Sequence, residues 1–266
     1  MHATLALGPL SLPTGPILAM LAALLALEFA GRAGRRFGLH ADDVWNTSLL
    51  SLLAGLIVAR IWTIIQFWPV YRDEPLLIVS LRPSGFAFWP GVAAAVAVAF
   101  AWMVYRALDP ARVGASMAIG MVAGAIVINI SLFLTGALVG VPSSAPWAMR
   151  NFSEMVHPVG LYRAAGLLVL LALLWATTNV ERPGRTIWLA VLGYALVHLV
   201  ADAFVRDAAL LGAFVQSQVL ALGVAVVAAL ALAREAATFA RRAASAPTLA
   251  TGASTDAVVP ADPAHT

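Results

Sequence analysis

The sequence predicts an all-α fold, a polytopic bundle of seven transmembrane helices. Of the 266 residues, 62% are apolar and only 11% are charged, whereas soluble domains have about 45–50% and about 25%. The mean hydropathy is +0.90. Seven stretches of the chain are each close in length to the roughly 20 apolar residues that a helix needs to cross a bilayer. These values exclude an ordinary water-soluble enzyme and a chain that is disordered throughout.

The apolar stretches lie near residues 12–30, 48–69, 86–105, 113–139, 159–178, 187–205 and 209–233. Each is too long and too uniformly apolar for a barrel strand, and lipid offers no partner to exposed backbone, so each is expected to be helical. The first span follows residues without Lys or Arg, so it is not expected to be a signal peptide. Residues 1–242 are expected to form one transmembrane domain, followed by a disordered cytoplasmic tail at 243–266.

The basic residues predict how the bundle is oriented. All 16 are arginines, and ten lie in alternate loops and after the last span. Because Arg is retained on the cytoplasmic side, the N-terminus is expected outside and the C-terminus in the cytoplasm. This distribution also argues against nucleic acid as a partner. The ten are Arg32, Arg35, Arg36, Arg106, Arg112, Arg182, Arg185, Arg234, Arg241 and Arg242.

Ionisable residues inside the predicted spans are candidates for function, because a charge at the bilayer centre costs at least about 2.5–3.5 kcal/mol. Arg60 lies in the middle of the second span. It is interpreted either as a snorkelling or salt-bridged structural residue or as a cation that holds an anionic lipid headgroup inside the bundle.

The sixth span carries polar residues at every fourth position: Tyr194, His198, Asp202 and Arg206. On a helix they share one face, which is expected to line the bundle interior or a water-filled cavity. One interpretation is a structural ladder in which Asp202 neutralises Arg206. A second places Arg206 at the outer interface, beside a phosphate headgroup, and a third is the proton relay of a small transporter.

The outer loop before the fifth span contains a second candidate group. His157 and Pro158 mark the start of that helix, since Pro suits a first helical turn. Tyr162 and Arg163 then lie about one turn inside it. The alternatives are a cap-region or interfacial role for His157 and an aromatic-belt position for Tyr162.

Several classes of cofactor are not indicated by the sequence. The chain has no Cys, no nucleotide-binding glycine loop, and no His/Glu cluster with metal-ligand spacing. We therefore expect neither a cofactor nor a metal, and a reacting thiol would have to arrive on a partner.

The ordered set of motifs resembles the prolipoprotein diacylglyceryl transferase family of the bacterial inner membrane. Residues 157–162, His-Pro-Val-Gly-Leu-Tyr, are similar to the family's His-Pro-x-x-Leu-Tyr-Glu segment. Gly55 and Ala59-Arg60 match its second span, and residues 204–207 resemble its Phe-Phe-Arg-x-Pro-Asp element. Further matches lie at 7–12, 35–39, 140–147 and 218–222, so that the resemblance extends from residue 7 to about 233.

The resemblance implies a multi-pass enzyme of the bacterial cytoplasmic (inner) membrane. It would transfer a diacylglyceryl group from phosphatidylglycerol, or another anionic lipid, to the cysteine thiol of a lipoprotein precursor, releasing glycerol 1-phosphate. This needs cations for the phosphate and a base for the thiol. The expected headgroup ligands are Arg60, Asn129, Arg163 and Arg206, and the expected catalytic residues are His157, Tyr162 and His198, with His157 or His198 as the base.

Some positions depart from the family pattern. Trp89 replaces a histidine associated with activity, Asn129 replaces an anion-binding Arg, and Arg163 stands where the family has Glu. Leu132 and Gly15 stand in place of the family's Asn and Tyr. An inactive member that binds anionic lipid or lipoprotein is therefore the alternative. A small transporter is less favoured, because the spans have few mid-helix Gly or Pro breaks.

Overall fold

The computed structural model describes residues 4–7, 10–78, 85–151, 154–206, 208–211 and 214–245. Seven of its helices are long and apolar enough to cross a membrane, which confirms the predicted all-α fold with seven spans. The orientation of the termini stays a prediction. The helices are α1 (Thr14–Arg36), α2 (Ala41–Gln66), the short α3 (Trp68–Asp73), α4 (Phe88–Tyr105), α5 (Pro110–Thr135), α6 (Val159–Thr177), α7 (Pro183–Ala201) and α8 (Gln216–Ser245).

In the described part of the chain, three short antiparallel hairpins accompany the helices. β1 (Thr4–Leu7) pairs with β2 (Leu10–Pro13) before α1, and β3 (Met149–Asn151) pairs with β4 (Glu154–Val156) before α6. β5 (Leu210–Leu211) pairs with β6 (Phe214–Val215) before α8. The last hairpin occupies residues that the hydropathy assigned to the seventh span, so α8 begins seven residues later than the predicted start at 209.

Local capping explains where other helices begin and end. The Asp109 carboxylate accepts hydrogen bonds from the backbone N–H groups of Ala111 and Arg112, and Pro110 occupies the first turn. α5 therefore starts before the predicted residue 113. It ends at Gly136, whose φ of 72° suits a left-handed C-terminal cap. At the other end of the chain, α8 continues to Ser245, so residues 243–245 of the predicted tail are helical, and 246–266 lie outside the described residues.

α5 is the central helix, and it contacts α1 through small residues. A Cβ on Gly120 would lie 2.3 Å from the Ala26 carbonyl oxygen, and one on Gly124 would lie 2.9 Å from that of Ala22. Backbones come this close only where side chains are absent or small, as is common between membrane helices. α2 and α4 meet in the same way, at Gly55 and Gly91. Small side chains therefore allow these two pairs of helices to approach closely.

The predicted cytoplasmic ends of the helices are joined by arginines. Arg36 of α1 lies 4.0 Å from the Trp175 ring centre and donates to the Trp175 carbonyl of α6. Arg182 donates to both carboxylate oxygens of Glu235 in α8. Hydrogen bonding to that carboxylate raises the pKa of Arg182, and the pair links the start of α7 to α8.

At the opposite end, residues 139–143 lie between β4 and the chain that follows α7. The His157 N–H donates to the Val141 carbonyl, and the Val141 N–H donates to the Phe204 carbonyl. The Arg206 N–H donates to the Val139 carbonyl, 2.9 Å away. These backbone hydrogen bonds bring the start of α6 and the end of α7 together.

Candidate functional site

Four side chains meet where α6 begins and α7 ends. The Tyr162 hydroxyl oxygen is 2.9 Å from His157 Nδ1 and 2.8 Å from Trp147 Nε1. The Phe204 ring lies 4.8 Å from the His157 ring and 5.8 Å from the Tyr162 ring, centre to centre. Pro158 precedes the first residue of α6, as predicted, and this places Tyr162 one turn inside the helix. The sequence therefore brings His157 and Tyr162 into direct contact by local structure alone.

An apolar groove of about 750 Å³ runs between α6 and α7 from this cluster. Val169 and Val200, on its two walls, are 71% and 66% exposed, so the groove opens sideways from the bundle, where lipid would be. Its polar members lie at one end, beside the start of α6 and the end of α7, which is the predicted outer end. The lining consists of Trp147, His157, Tyr162, Gly166, Val169, Leu196, Val197, Val200, Ala201 and Phe204. A groove of this shape and chemistry can take a hydrocarbon chain and present a polar headgroup to the cluster.

Arg163 is held by Asp202 in a buried ion pair. Arg163 Nε and Nη2 lie 2.9 and 2.5 Å from the same oxygen, Asp202 Oδ1. The Asp202 side chain is 2% exposed. His198 Nδ1 is 3.5 Å from that oxygen, and the Tyr194 ring stacks on the His198 ring. Three residues of the predicted stripe, Tyr194, His198 and Asp202, thus form one network with Arg163.

The fourth residue of the predicted stripe is not part of this network. α7 ends at Ala201, and a 3-10 turn follows at Asp202–Phe204. The interpretation that Asp202 neutralises Arg206 is therefore wrong, because the four-residue period stops with the helix. Arg206 instead pairs with the exposed Glu154 of β4. No feature of the sequence identified Glu154, which lies 52 residues before its partner.

Arg60 makes its contacts elsewhere. Its guanidinium donates to the backbone carbonyls of Leu77, Ile78 and Gly85, at 3.1 Å for Gly85. The rings of Tyr71 and Phe86 lie 5.4 and 5.6 Å from its central carbon. Arg60 is not among the residues that line the groove. Its described contacts connect α2 to the chain on either side of residues 79–84, and the role of Arg60 toward a headgroup stays a prediction.

Asn129 is buried in α5, beneath the first turn of α6. Its side-chain N–H donates to the Ala125 carbonyl at 2.8 Å, and Oδ1 has no partner among the described residues. A Cβ on Gly160 would lie 2.6 Å from the Asn129 carbonyl oxygen, so α6 passes close to this residue. His198 Nε2 is likewise buried and without a partner in the described part of the chain.

The remaining departures from the family pattern have different surroundings. Trp89 is 77% exposed on α4, beside the ring of Phe88. Leu132 is half-buried on α5, and Gly15 lies in the first turn of α1 near the Thr135 methyl group. Trp147 also contributes to the site, but the sequence identifies it only as part of the motif at 140–147 and does not predict its contact with Tyr162.

Comparison with known proteins agrees with the motifs. The family model for prolipoprotein diacylglyceryl transferase matches residues 2–234. The chain is 23% identical over 202 residues to the phosphatidylglycerol–prolipoprotein diacylglyceryl transferase of Clostridioides difficile, covering 75% of this chain and 81% of that one. It is 29% identical over 195 residues to the Rhodospirillum rubrum protein of the same name, covering 70% and 71%.

A third relative of that name, from Bacillus mycoides, is 24% identical over 225 residues, covering 77% of this chain and 80% of the relative. The family match includes six spans completely and most of the seventh, together with the loop before α6, the groove and the buried ion pair. The chain is a multi-pass membrane protein, and it belongs to the prolipoprotein diacylglyceryl transferase family.

Proposed function

We propose that the protein is a phosphatidylglycerol–prolipoprotein diacylglyceryl transferase of the bacterial cytoplasmic membrane. The observation that carries the proposal is the groove between α6 and α7, apolar along its length and polar at its outer end. Family membership supports the same reaction. The substrates would be phosphatidylglycerol and the cysteine of a lipoprotein precursor, and the chain itself has no Cys.

One acyl chain of the lipid would lie along Val169, Leu196 and Val200. Leaving the bilayer for this groove gains little hydrophobic energy, because lipid tails are as apolar as the groove walls. The choice of lipid therefore depends on the polar end. His157 and Arg206 flank residues 139–141 there, since their N–H groups donate to Val141 and Val139.

Arg206 is the best placed of the four predicted headgroup ligands. It lies beside the groove's outer end, and Glu154, its partner, is exposed and can be displaced by a phosphate. Arg163 already has a buried carboxylate partner, and Arg60 is bound to backbone carbonyls. Asn129 has a free Oδ1 among the described residues, but an amide oxygen accepts hydrogen bonds and does not attract a phosphate.

The reaction is a displacement at carbon. The acceptor sulfur forms a bond to the glycerol carbon that carries the phosphate, and the C–O bond to the phosphate breaks. Glycerol 1-phosphate leaves with the electron pair, and the thiol proton goes to a histidine. His157 and His198 are the two candidates for this proton acceptor. The choice between them depends on which ring nitrogen of neutral His157, Nδ1 or Nε2, carries the hydrogen.

Binding without turnover is the second candidate, and a specific observation favours it. Arg163 and Arg206 both have carboxylate partners within the chain, and Trp89 offers no base. The purified protein should be given phosphatidylglycerol and a lipobox peptide, with an authentic family enzyme run alongside. Release of glycerol 1-phosphate together with a thioether on the peptide supports the transferase. If this protein binds the lipid but releases no glycerol 1-phosphate, while the authentic enzyme does release it, the second candidate is supported and the first is overturned.

A groove-filling variant tests whether the lipid binds where we propose. Val200→Trp fills the groove, and Val96→Trp puts the same side chain on α4, at a similarly exposed position that does not line the groove. We expect Val200→Trp to weaken phosphatidylglycerol binding at least several-fold and Val96→Trp to leave it unchanged. Equal binding by both variants would contradict a lipid site in this groove.

A further inference from the structure

Trp147 is brought to α6 by the shape of its loop. The Ala145 N–H donates to Ser143 Oγ, and the Ala148 N–H donates to the Ala145 carbonyl, which closes a turn around the tryptophan. The indole is largely exposed, yet its Nε1 lies 2.8 Å from the Tyr162 hydroxyl oxygen. An aromatic-belt residue needs no such partner, because its N–H can bond to water or headgroups at the membrane surface.

The hydrogen-bonding capacity of the three side chains limits how they can be arranged. The indole Nε1–H can only donate, so the Tyr162 oxygen accepts from Trp147. The hydroxyl has one hydrogen, and His157 Nδ1 lies 2.9 Å from the same oxygen. Either Tyr162 donates to Nδ1 and the His157 hydrogen is on Nε2, or His157 donates from Nδ1 to Tyr162.

The first arrangement satisfies more groups. With the His157 hydrogen on Nε2, Tyr162 accepts from Trp147 and donates to His157 Nδ1. Of the three side chains, only His157 then has a group, Nε2–H, left to bind something else. With the hydrogen on Nδ1, the Tyr162 O–H and the Nε2 lone pair are both left over. A donated hydrogen bond also makes a hydroxyl a better donor, so donation from Trp147 strengthens donation from Tyr162 to His157.

We propose that Trp147 is a positioning residue that acts through Tyr162 and fixes His157 as a hydrogen-bond donor, from Nε2, to the phosphate of a lipid headgroup at the groove mouth. The Phe204 ring, 4.8 Å away, holds the imidazole plane. His157 then stabilises the leaving phosphate. The role toward phosphate rests on the proposed function, whereas the position of the hydrogen does not.

The test begins with the hydrogen itself. The full-length protein, labelled with ¹⁵N-histidine in phosphatidylcholine nanodiscs, is measured by long-range ¹H–¹⁵N correlation, and His157→Gln assigns the signal among the five histidines. We expect Nε2–H in the unmodified protein and a mixture of both forms in Trp147→Phe, which loses the N–H but keeps an aromatic ring. Trp68→Phe, at another exposed tryptophan, is the control and should not change the His157 signal.

Lipid preference is the second measurement. We expect Trp147→Phe to lower the preference for phosphatidylglycerol over phosphatidylcholine roughly five-fold, the size of about one hydrogen bond. Tyr162→Phe removes the hydroxyl that connects Trp147 to His157 and should have the same or a larger effect. Thermal unfolding in detergent shows whether each variant is folded. If Trp147→Phe does not fold, Tyr162→Phe carries the test.

Two results would overturn the proposal. One is an Nδ1–H form in the unmodified protein, and the other is unchanged hydrogen position and unchanged lipid preference in Trp147→Phe and Tyr162→Phe. A shift in both measurements supports it even if no lipid is transferred to a peptide. In that case the transferase function fails, and the positioning of His157 for binding remains.

Discussion

Arg163 and Asp202 form a buried ion pair that joins the first turns of α6 to the end of α7, with two guanidinium nitrogens on one carboxylate oxygen. The family resemblance gives Glu at position 163, so this chain carries the opposite charge there and has a buried acid beside it. The pair is neutral overall. Arg163 therefore adds less positive charge to a headgroup site than its sequence position predicts.

Removing one member of this pair should destabilise the protein strongly. Asp202→Asn leaves the Arg163 charge buried, and losses of about 3–5 kcal/mol are typical of that change. We expect a clear drop in the thermal unfolding temperature in detergent. The double variant Arg163→Leu with Asp202→Leu buries no charge and should lose less than either single leucine variant. Additive losses would contradict an ion pair that acts as one unit.

Close packing of α1 on α5 predicts that a single methyl group at Gly120 is harmful. Gly120→Ala would place a Cβ 2.3 Å from the Ala26 carbonyl oxygen, so the helices must move apart. Gly223→Ala in α8 is the matched control, because a Cβ there meets no atom of the described residues within 4 Å. Both changes gain about 1 kcal/mol of helix propensity. Thermal unfolding should therefore show a loss for Gly120→Ala and no loss for Gly223→Ala.

Release of Arg206 from Glu154 should strengthen binding of anionic lipid. Both side chains of this pair are partly exposed, so its contribution to stability is at most about 1 kcal/mol. Glu154→Gln keeps the shape of the side chain and removes the competing charge, so phosphatidylglycerol should bind several-fold more tightly in nanodiscs, and less so at high salt. Glu181→Gln, in the exposed turn before α7, should leave binding unchanged. Unchanged affinity in Glu154→Gln would count against Arg206 as a headgroup ligand.

A thiol-proton acceptor at His198 predicts a pH-dependent loss of activity. His198→Gln should lower the rate of peptide lipidation about 10²–10⁴-fold at pH 7, the usual range for loss of a general base. Phosphatidylglycerol affinity should change little, because a base in this role acts on the thiol and not on the lipid. Since a free thiol has a pKa of about 8.5, part of the rate should return at pH 9. The same fractional loss at both pH values would exclude this role for His198.

The sequence predicts a contact in the site when the two residues lie close together along the chain. Pro158 starts α6, so the contact between His157 and Tyr162 follows from five residues of chain. The four-residue spacing on α7 also depends on residues close along the chain. The helix ends at Ala201, however, so the spacing does not predict the position of Arg206. Helix ends are decided partly by what the following loop binds, here the Val139 carbonyl.

The number of spans, the all-α class and the family follow from hydropathy, proline caps and short motifs, because these signals depend on neighbours along the chain. Which charged and polar side chains pair depends on tertiary packing. Arg163 meets Asp202 across 39 residues, Arg206 meets Glu154 across 52, and Trp147 reaches Tyr162 across 15. The backbone hydrogen bonds of residues 139–143 bring the start of α6 and the end of α7 together, and no side-chain pattern along the chain records them.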